Sequence, residues 1–379
     1  MLAAYGGGGM NTVKVRADGG LADVEEGTAV QHEGGSGADP ARQDKPHPHS
    51  GFVCPSSSRV VVSDLGQDKL YSYNINSATG TLSGAPANPL PATPLCTVST
   101  PAAAPPLTRS RRAGAEHKVV ETAPGSGPRH IAFHPSGEWL FGINEMDCTI
   151  VSYPYSAESG EIGAAAATVS TLPEGYDNKD HANNKNAEGN PASGPNSPGQ
   201  TNACADIHVT PDGKFLYGSN RGHDSLVCFA IGEGTPAAPA PCGLGGLSTI
   251  AWAGGALTLV GFTPTYGEHP RNFGIHPSGR WLVVANQNTD NIVRATPLHH
   301  SQHSHSHTPH TATTAVTAAS TALLAAWRVL ALGACLNHRP AGQVIFKLDA
   351  ESGALTKHGD PITIEGKPRC VKFGVLPTS

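Results

Sequence analysis

Apolar residues in this chain fall in short alternating runs, and the runs are joined by turns of Pro, Ser or Asp, and Gly. Ile131-Ala132-Phe133-His134-Pro135-Ser136-Gly137-Glu138-Trp139-Leu140 recurs as Ile207-His208-Val209-Thr210-Pro211-Asp212-Gly213-Lys214-Phe215-Leu216, and again as Phe273-Gly274-Ile275-His276-Pro277-Ser278-Gly279-Arg280-Trp281-Leu282. A weaker copy is Phe52-Val53-Cys54-Pro55-Ser56-Ser57-Ser58-Arg59-Val60. An alternating run suits a half-buried strand. Pro then presets φ and Gly accepts a positive φ, so the chain reverses. Third strands are expected at 69–75, 149–155 and 225–231, and the turns at 77–80 and 156–160 would feed a fourth. Four antiparallel strands per repeat predict an all-β fold, a β-propeller built from four-stranded blades.

The repeated turns lie 66 to 80 residues apart, longer than the roughly 40–50 residues of a typical blade repeat. Insertions account for the excess. Residues 85–115, 175–200, 233–254 and 296–342 are rich in Ala, Pro, Thr, Asn or Gly and are expected to be disordered loops within one propeller domain over 1–379. The last insertion holds His-Ser-Gln-His-Ser-His-Ser-His at 300–307. It separates Asn291-Ile292-Val293 from Val344-Ile345-Phe346-Lys347-Leu348-Asp349, which read as halves of one strand. A lone helix is the other form it could take. Residues 319–336 are only just long enough to span a membrane, contain Arg328 and sit inside a β repeat, so no span is expected. The His tract has the composition of a metal binder, but a solvated tract is the expectation.

Composition narrows the classes further. Gly 45 and Pro 32, with 15% charged residues, suit many short strands and tight turns. A net charge of −5 leaves no general basic surface for nucleic acid. The eight cysteines are scattered with no Cys-x-x-Cys, which argues against a disulfide scaffold or zinc ribbon and for thiols in the cytoplasm. The start, Met1-Leu2-Ala3-Ala4-Tyr5-Gly6-Gly7-Gly8-Gly9, lacks the pattern of a signal peptide and reads as the interior of a repeat. A plastid location would need a transit segment upstream. No Gly-x-Ser-x-Gly elbow is present, so a serine hydrolase is not expected.

The motifs Tyr5-Gly6-Gly7-Gly8, His47-Pro48-His49-Ser50, Ser63-Asp64-Leu65-Gly66-Gln67-Asp68 and Gly127-Pro128-Arg129-His130 through Asn144-Glu145 occur in that order. Ser219-Asn220-Arg221-Gly222-His223-Asp224-Ser225, Pro270-Arg271-Asn272-Phe273, Ala285-Asn286-Gln287 and Cys370-Val371-Lys372-Phe373 follow. Together they make the chain resemble the lactonase family of seven-bladed propellers. The resemblance implies about five to six blades in this chain, with the family's first one to two lying before the Tyr-Gly-Gly-Gly segment. It also implies hydrolysis of a small anionic lactone without a cofactor, 6-phosphogluconolactone first among substrates. A muconate-type lactone is the alternative, and a propeller that only binds partners is a third reading.

The repeat also predicts where a site would form. Residues eight before and eight after Gly137 are Arg129 and Glu145, which an antiparallel hairpin brings together at its open end. The same step gives His49 and Leu65 around Ser57, Ala205 and Arg221 around Gly213, and Arg271 and Gln287 around Gly279. Inner strands line a propeller's channel, so His49, Arg129, Glu145, Arg221 and Arg271 are expected at one mouth. Arg forks suit phosphate or carboxylate. Lactone hydrolysis needs a base, a group that stabilises the carbonyl oxygen, and an acid for the leaving alkoxide. Glu145, Arg129 and His49 are therefore the catalytic candidates, and His47, Arg221, Arg271 and Gln287 the substrate-binding ones. His134 and His276 are expected to serve the turns. Asp64, Asp206, His208 and His223 could serve either the channel or the turns.

Overall fold

The computed structural model describes residues 1–18, 20–22, 28–83, 118–179, 184–185, 187–189, 201–232, 255–289, 329–330, 341–359, 362–364 and 370–373. They form two compact units, Met1–Pro128 with Tyr155–Ala164, and Arg129–Pro154 with Ala165–Ser379. Among the described residues every regular element is a strand.

In the first unit, β1 (Leu2–Ala4), β2 (Gly9–Asn11) and β3 (Ala29–Gln31) make a three-stranded antiparallel sheet. Next come β4 (Pro48–Val53), β5 (Arg59–Asp64) and β6 (Lys69–Ile75). Their outer position is shared by β7 (Leu82–Ser83) and β8 (Lys118–Glu121), which pair with opposite ends of β6. The third blade has β9 (Pro128–Phe133), β10 (Trp139–Asn144) and β11 (Thr149–Ser156). Its fourth position is again divided, between β12 (Glu161–Ile162) and β13 (Ala167–Ser170).

Two further blades follow in the second unit. One is β14 (Ala203–Val209), β15 (Phe215–Arg221), β16 (Ser225–Ile231) and β17 (Leu257–Pro264). The other starts with β18 (Pro270–Ile275) and β19 (Trp281–Asn286). After a short β20 (Val329–Leu330), it continues with β21 (Ala341–Leu348), β22 (Leu355–Lys357) and β23 (Ile362–Ile364). β24 (Lys372–Phe373) pairs only with β20. The fold is thus the expected all-β propeller of four-stranded antiparallel blades, with the third strands where the pattern put them.

The insertions 85–115 and 233–254 lie outside the described residues, as does the His tract. So do most of 175–200 and of 296–342. One expectation about the last is corrected. Residues 341–348 are not half of a strand: β21 supplies all six partners of β19, from Trp281↔Lys347 to Asn286↔Gly342. The insertion therefore falls between the second and third strands of its blade. Two of its residues, Val329 and Leu330, are themselves strand.

The central strands are buried on both faces, which is why they read as nearly unbroken apolar runs. Trp139, Phe141 and Ile143 project from one face of β10 and pack with Cys204, Ile207, Leu216, Val227 and Phe229. On β15 alternation sends Leu216 into that cluster. Phe215 and Tyr217 point the other way, to Phe273, Leu282, Val284, Val344 and Phe346. Within the first unit Met10 and Val30 pack on Val60, Val62, Tyr71 and Tyr73. Each such side chain contributes about 1.5–3 kcal/mol of burial, enough to hold the hairpin ends in place.

Candidate active site

The first strand of each of three blades carries a β-bulge near its N-terminal end. Register slips between Pro48 and Ser50 in β4, between Cys204 and Ile207 in β14, and between Pro270 and Asn272 in β18. His49, Ala205 with Asp206, and Arg271 are the residues left out of the ladder. A bulge re-aims side chains and frees backbone groups beside it, and here it falls at the ends where the sequence placed the site.

In the second unit the carbonyls at this end of β14 are used by arginines. Arg129 donates from Nη1 to Ala205 O at 2.5 Å, and from Nε to Glu145 Oε2 at 2.7 Å. Arg221 donates to Ala203 O at 3.1 Å and Cys204 O at 2.8 Å, and its Nη2 lies 3.1 Å from the same Glu145 oxygen. Arg271 donates to Gln287 Oε1 at 3.0 Å. Two of the expected pairs, Arg129 with Glu145 and Arg271 with Gln287, therefore meet. The other two are corrected: Arg221 sits opposite Ala203 rather than Ala205, and Leu65 lies against His47, donating its backbone N–H to His47 O at 3.1 Å, rather than against His49, which the β4 bulge leaves out of the ladder. For Arg221, the turn is centred between Asp212 and Gly213, and the β14 bulge moves the pairing one residue further.

Arg129, Glu145 and Arg221 are all buried. Burial above all, and then Arg221, lowers the pKa of Arg129 to about 9; Glu145 opposes the shift and Arg271 adds to it. Two buried guanidiniums and the half-buried Arg271 thus lie close together, a concentration of positive charge that favours an anionic ligand.

A second group adjoins the first. Asp206, in the β14 bulge, is fully enclosed and accepts from His130 Nδ1 at 2.7 Å and His208 Nε2 at 3.1 Å. It also accepts from Ile207 N at 3.1 Å, from Phe273 N at 3.2 Å and from Asn272 Nδ2. Burial opposes its charge, but His208 and the hydrogen bonds from the two imidazoles outweigh it and hold its pKa well below the usual value. His130 Nε2 lies 3.2 Å from Arg129 Nη1. Burial, followed by Arg129, lowers the pKa of His130, with Asp206 opposing. Sequence reasoning left Asp206 and His208 unassigned and had no role for His130. The available signal was the two-residue step Asp206-Ile207-His208, which puts both side chains on one face of a strand. Among the described residues no set of His, Cys, Asp and Glu is arranged to hold a metal ion.

The remaining candidates are accounted for within their own units. His47 stacks on Tyr5 at 4.4 Å, and its Nδ1 lies 2.8 Å from Tyr5 O; His49 meets the same ring edge-on at 5.5 Å. Both belong to the first unit, whereas the arginine cluster is built wholly within the second. Asp64 accepts from His47 N at 2.8 Å, Gly66 N at 3.1 Å and Gln67 N at 3.2 Å, so it caps the β5–β6 turn. It also meets His32 Nδ1 at 2.5 Å. His223 Nδ1 lies 2.7 Å from Ser225 Oγ, and its ring packs edge-on to Tyr176 and Phe262. His134 and His276 serve their turns as expected: each accepts on Nδ1 from the backbone N–H of Ser136 or Ser278 at 3.1 Å.

Comparison with known proteins fits this geometry. A family described as "Lactonase, 7-bladed beta-propeller" matches residues 1–93, 108–238 and 247–317. A 6-phosphogluconolactonase of Formosa agariphila is 32% identical over 262 residues, 68% of this chain and 53% of that protein. One from Bacillus subtilis is 28% identical over 294 residues, 77% of this chain and 61% of its own length. A crystal structure described as a putative 6-phosphogluconolactonase of Bacteroides fragilis superposes with a TM-score of 0.58 at 23% identity, covering 98% of this chain and 69% of that one. The chain thus spans 53% and 61% of the length of these two relatives.

Proposed function

Because the chain belongs to the lactonase family of seven-bladed β-propellers, we propose that it hydrolyses the lactone of a small anionic sugar acid, 6-phosphogluconolactone before others. One observation carries the reading. Arg129 and Arg221 meet on a single oxygen of Glu145, and Arg271 is near enough to lower the pKa of Arg129 further. Buried guanidinium forks recognise phosphate or carboxylate bidentately, and the same donors stabilise charge that develops on a lactone carbonyl under attack by water.

In this proposal Arg129 and Glu145 act together. Glu145 Oε2 is committed to two guanidiniums, so the carboxylate serves as the counter-charge that keeps both forks aimed. Arg271 and Gln287 bind the far end of the substrate. The scattered cysteines support a cytoplasmic setting.

The test uses the purified full-length chain and freshly made 6-phosphogluconolactone, followed by proton release. Hydrolysis clearly above the spontaneous rate is expected, with weaker acceleration of uncharged gluconolactone. No acceleration at any enzyme concentration sinks the hydrolytic reading. Equal acceleration of both lactones removes the phosphate preference, and a muconolactone run in parallel shows whether a carboxylate serves instead.

A further inference from the structure

Lactone hydrolysis needs two proton transfers, one from water and one to the leaving alkoxide, and Glu145 already has an oxygen committed to arginines. His130 occupies a better position for this work. It follows Arg129 on β9, its side chain is 17% exposed, and its Nδ1 meets the carboxylate of Asp206, which is 2% exposed. A carboxylate accepts only, so Nδ1 carries the proton and Nε2 is the basic nitrogen of the neutral ring. That nitrogen points into the arginine cluster, accepting from Arg129 Nη1 at 3.2 Å, a distance at the long limit of an N–H bond.

We propose that His130 is the proton-transfer residue of this site and that Asp206 is the positioning residue that fixes its tautomer and orientation. The inference rests on the hydrolytic reading above. Water takes the place of Arg129 Nη1 at His130 Nε2 and gives that nitrogen a proton as its oxygen attacks the carbonyl carbon. The ring C–O bond then breaks, and the same proton passes from Nε2 to the departing alkoxide. One water is consumed, one open hydroxy acid forms, and the imidazole returns to its neutral state. Asp206 stays ionised throughout, as the orienting carboxylate of a triad does.

The groups facing His130 come from three blades. Asp206 and His208 lie on β14. Arg129 precedes His130 on β9 and links it to Glu145 and Arg221. Asn272 on β18 reaches it through Asp206. The cationic neighbour and the burial keep the ring neutral, so the base form is the one present at neutral pH.

The test compares wild type, H130Q and D206N with 6-phosphogluconolactone. H130Q is expected to lower kcat by about 10²–10⁴-fold with little change in KM. The wild-type kcat/KM profile should fall on the acid side with a limb below pH 6.5, and H130Q should lack that limb. D206N should lower kcat by about 10²-fold or more, because an amide can hold the ring in the wrong tautomer. If H130Q melts early, H130A is assayed with added imidazole: recovery of rate supports the assignment, and no recovery overturns it. A hydrolysing wild type with H130Q at full rate overturns this assignment and leaves the hydrolytic reading standing. A wild type that speeds no lactone overturns the hydrolytic reading, and this one with it.

Discussion

Arg129 is charged where charge is costly. Its pKa is lowered to about 9, by burial first and by Arg221 next, with only Glu145 and Asp206 opposing. The sign follows from linkage. The unfolded chain holds that proton more tightly, so the charged side chain disfavours folding at neutral pH, and the penalty fades only as pH rises above 9. Glu145 is the reverse case, since it is the counter-charge for two guanidiniums. R129M should therefore melt no lower than wild type at pH 7 while losing at least about 10²-fold in lactone turnover, the usual worth of one oxyanion donor. E145Q should also lose turnover, but should melt lower, by up to the roughly 3–5 kcal/mol that an uncompensated buried charge costs. Melting curves and rates measured on both variants decide. A lower melting temperature for R129M, with normal specific activity, would mean that the cluster is a structural ion network.

At the scale of the element, the hairpin turns show how one motif is held in different surroundings. Gly137, Gly213 and Gly279 all take positive φ, at 77°, 78° and 68°, as the Pro-Ser-Gly and Pro-Asp-Gly turns require. A methyl on Gly213 would meet the His134 ring at 2.5 Å, whereas one on Gly279 would meet nothing nearer than Pro211 at 3.7 Å. G279A should thus cost about 1 kcal/mol, the strain of an L-residue at positive φ. G213A should cost more, because the ring that accepts from the Ser136 N–H must also shift. Urea midpoints compare the two; equal losses would show that the His134 contact is loose. A second device recurs after the second strand. Asp68, Cys148 and Asp224 take positive φ, and their carbonyls accept from the backbone N–H of Thr122, Thr171 and Thr265 at 2.8, 2.9 and 2.9 Å. Asp224 also accepts from His269 N at 2.9 Å, tying its turn to the start of β18. Asp-Ser and Asp-Lys dipeptides do not announce this, since their partners are about 40 to 55 residues away in sequence.

For the molecule as a whole, the buried histidines His130 and His223 and the carboxylate Asp206 of the second unit act on stability in one direction. Burial lowers the His223 pKa from 6.5 to about 4. The unfolded chain therefore takes up protons first as pH drops. This stabilisation is complete above pH 6.5 and is lost as pH falls toward 4. It amounts to about 3 kcal/mol at roughly 1.4 kcal/mol per unit. His130, held below its usual value, adds to the same trend, and Asp206, also held low, extends it below pH 3.8. The melting temperature should fall steadily between pH 6.5 and 4, and H223Q should flatten part of that slope. Identical slopes in H223Q and wild type would show that His223 is not the group responsible.

The strands, the turns and two of the site pairs could be read before any coordinates, because each depends on neighbours close in sequence. Alternation within a run marks a strand, Pro and Gly mark the reversal, and symmetry about Gly137 and Gly279 brings Arg129 to Glu145 and Arg271 to Gln287. Tertiary structure alone decided the rest. The turn centre and the β14 bulge together moved Arg221 to Ala203, and the bulge left Ala205 O to Arg129 and brought Asp206 to imidazoles on two strands and to the backbone of a third. A bulge is a choice among nearly equal hydrogen-bond registers. It is settled by packing against the adjacent blades, and no local run of residues records that packing.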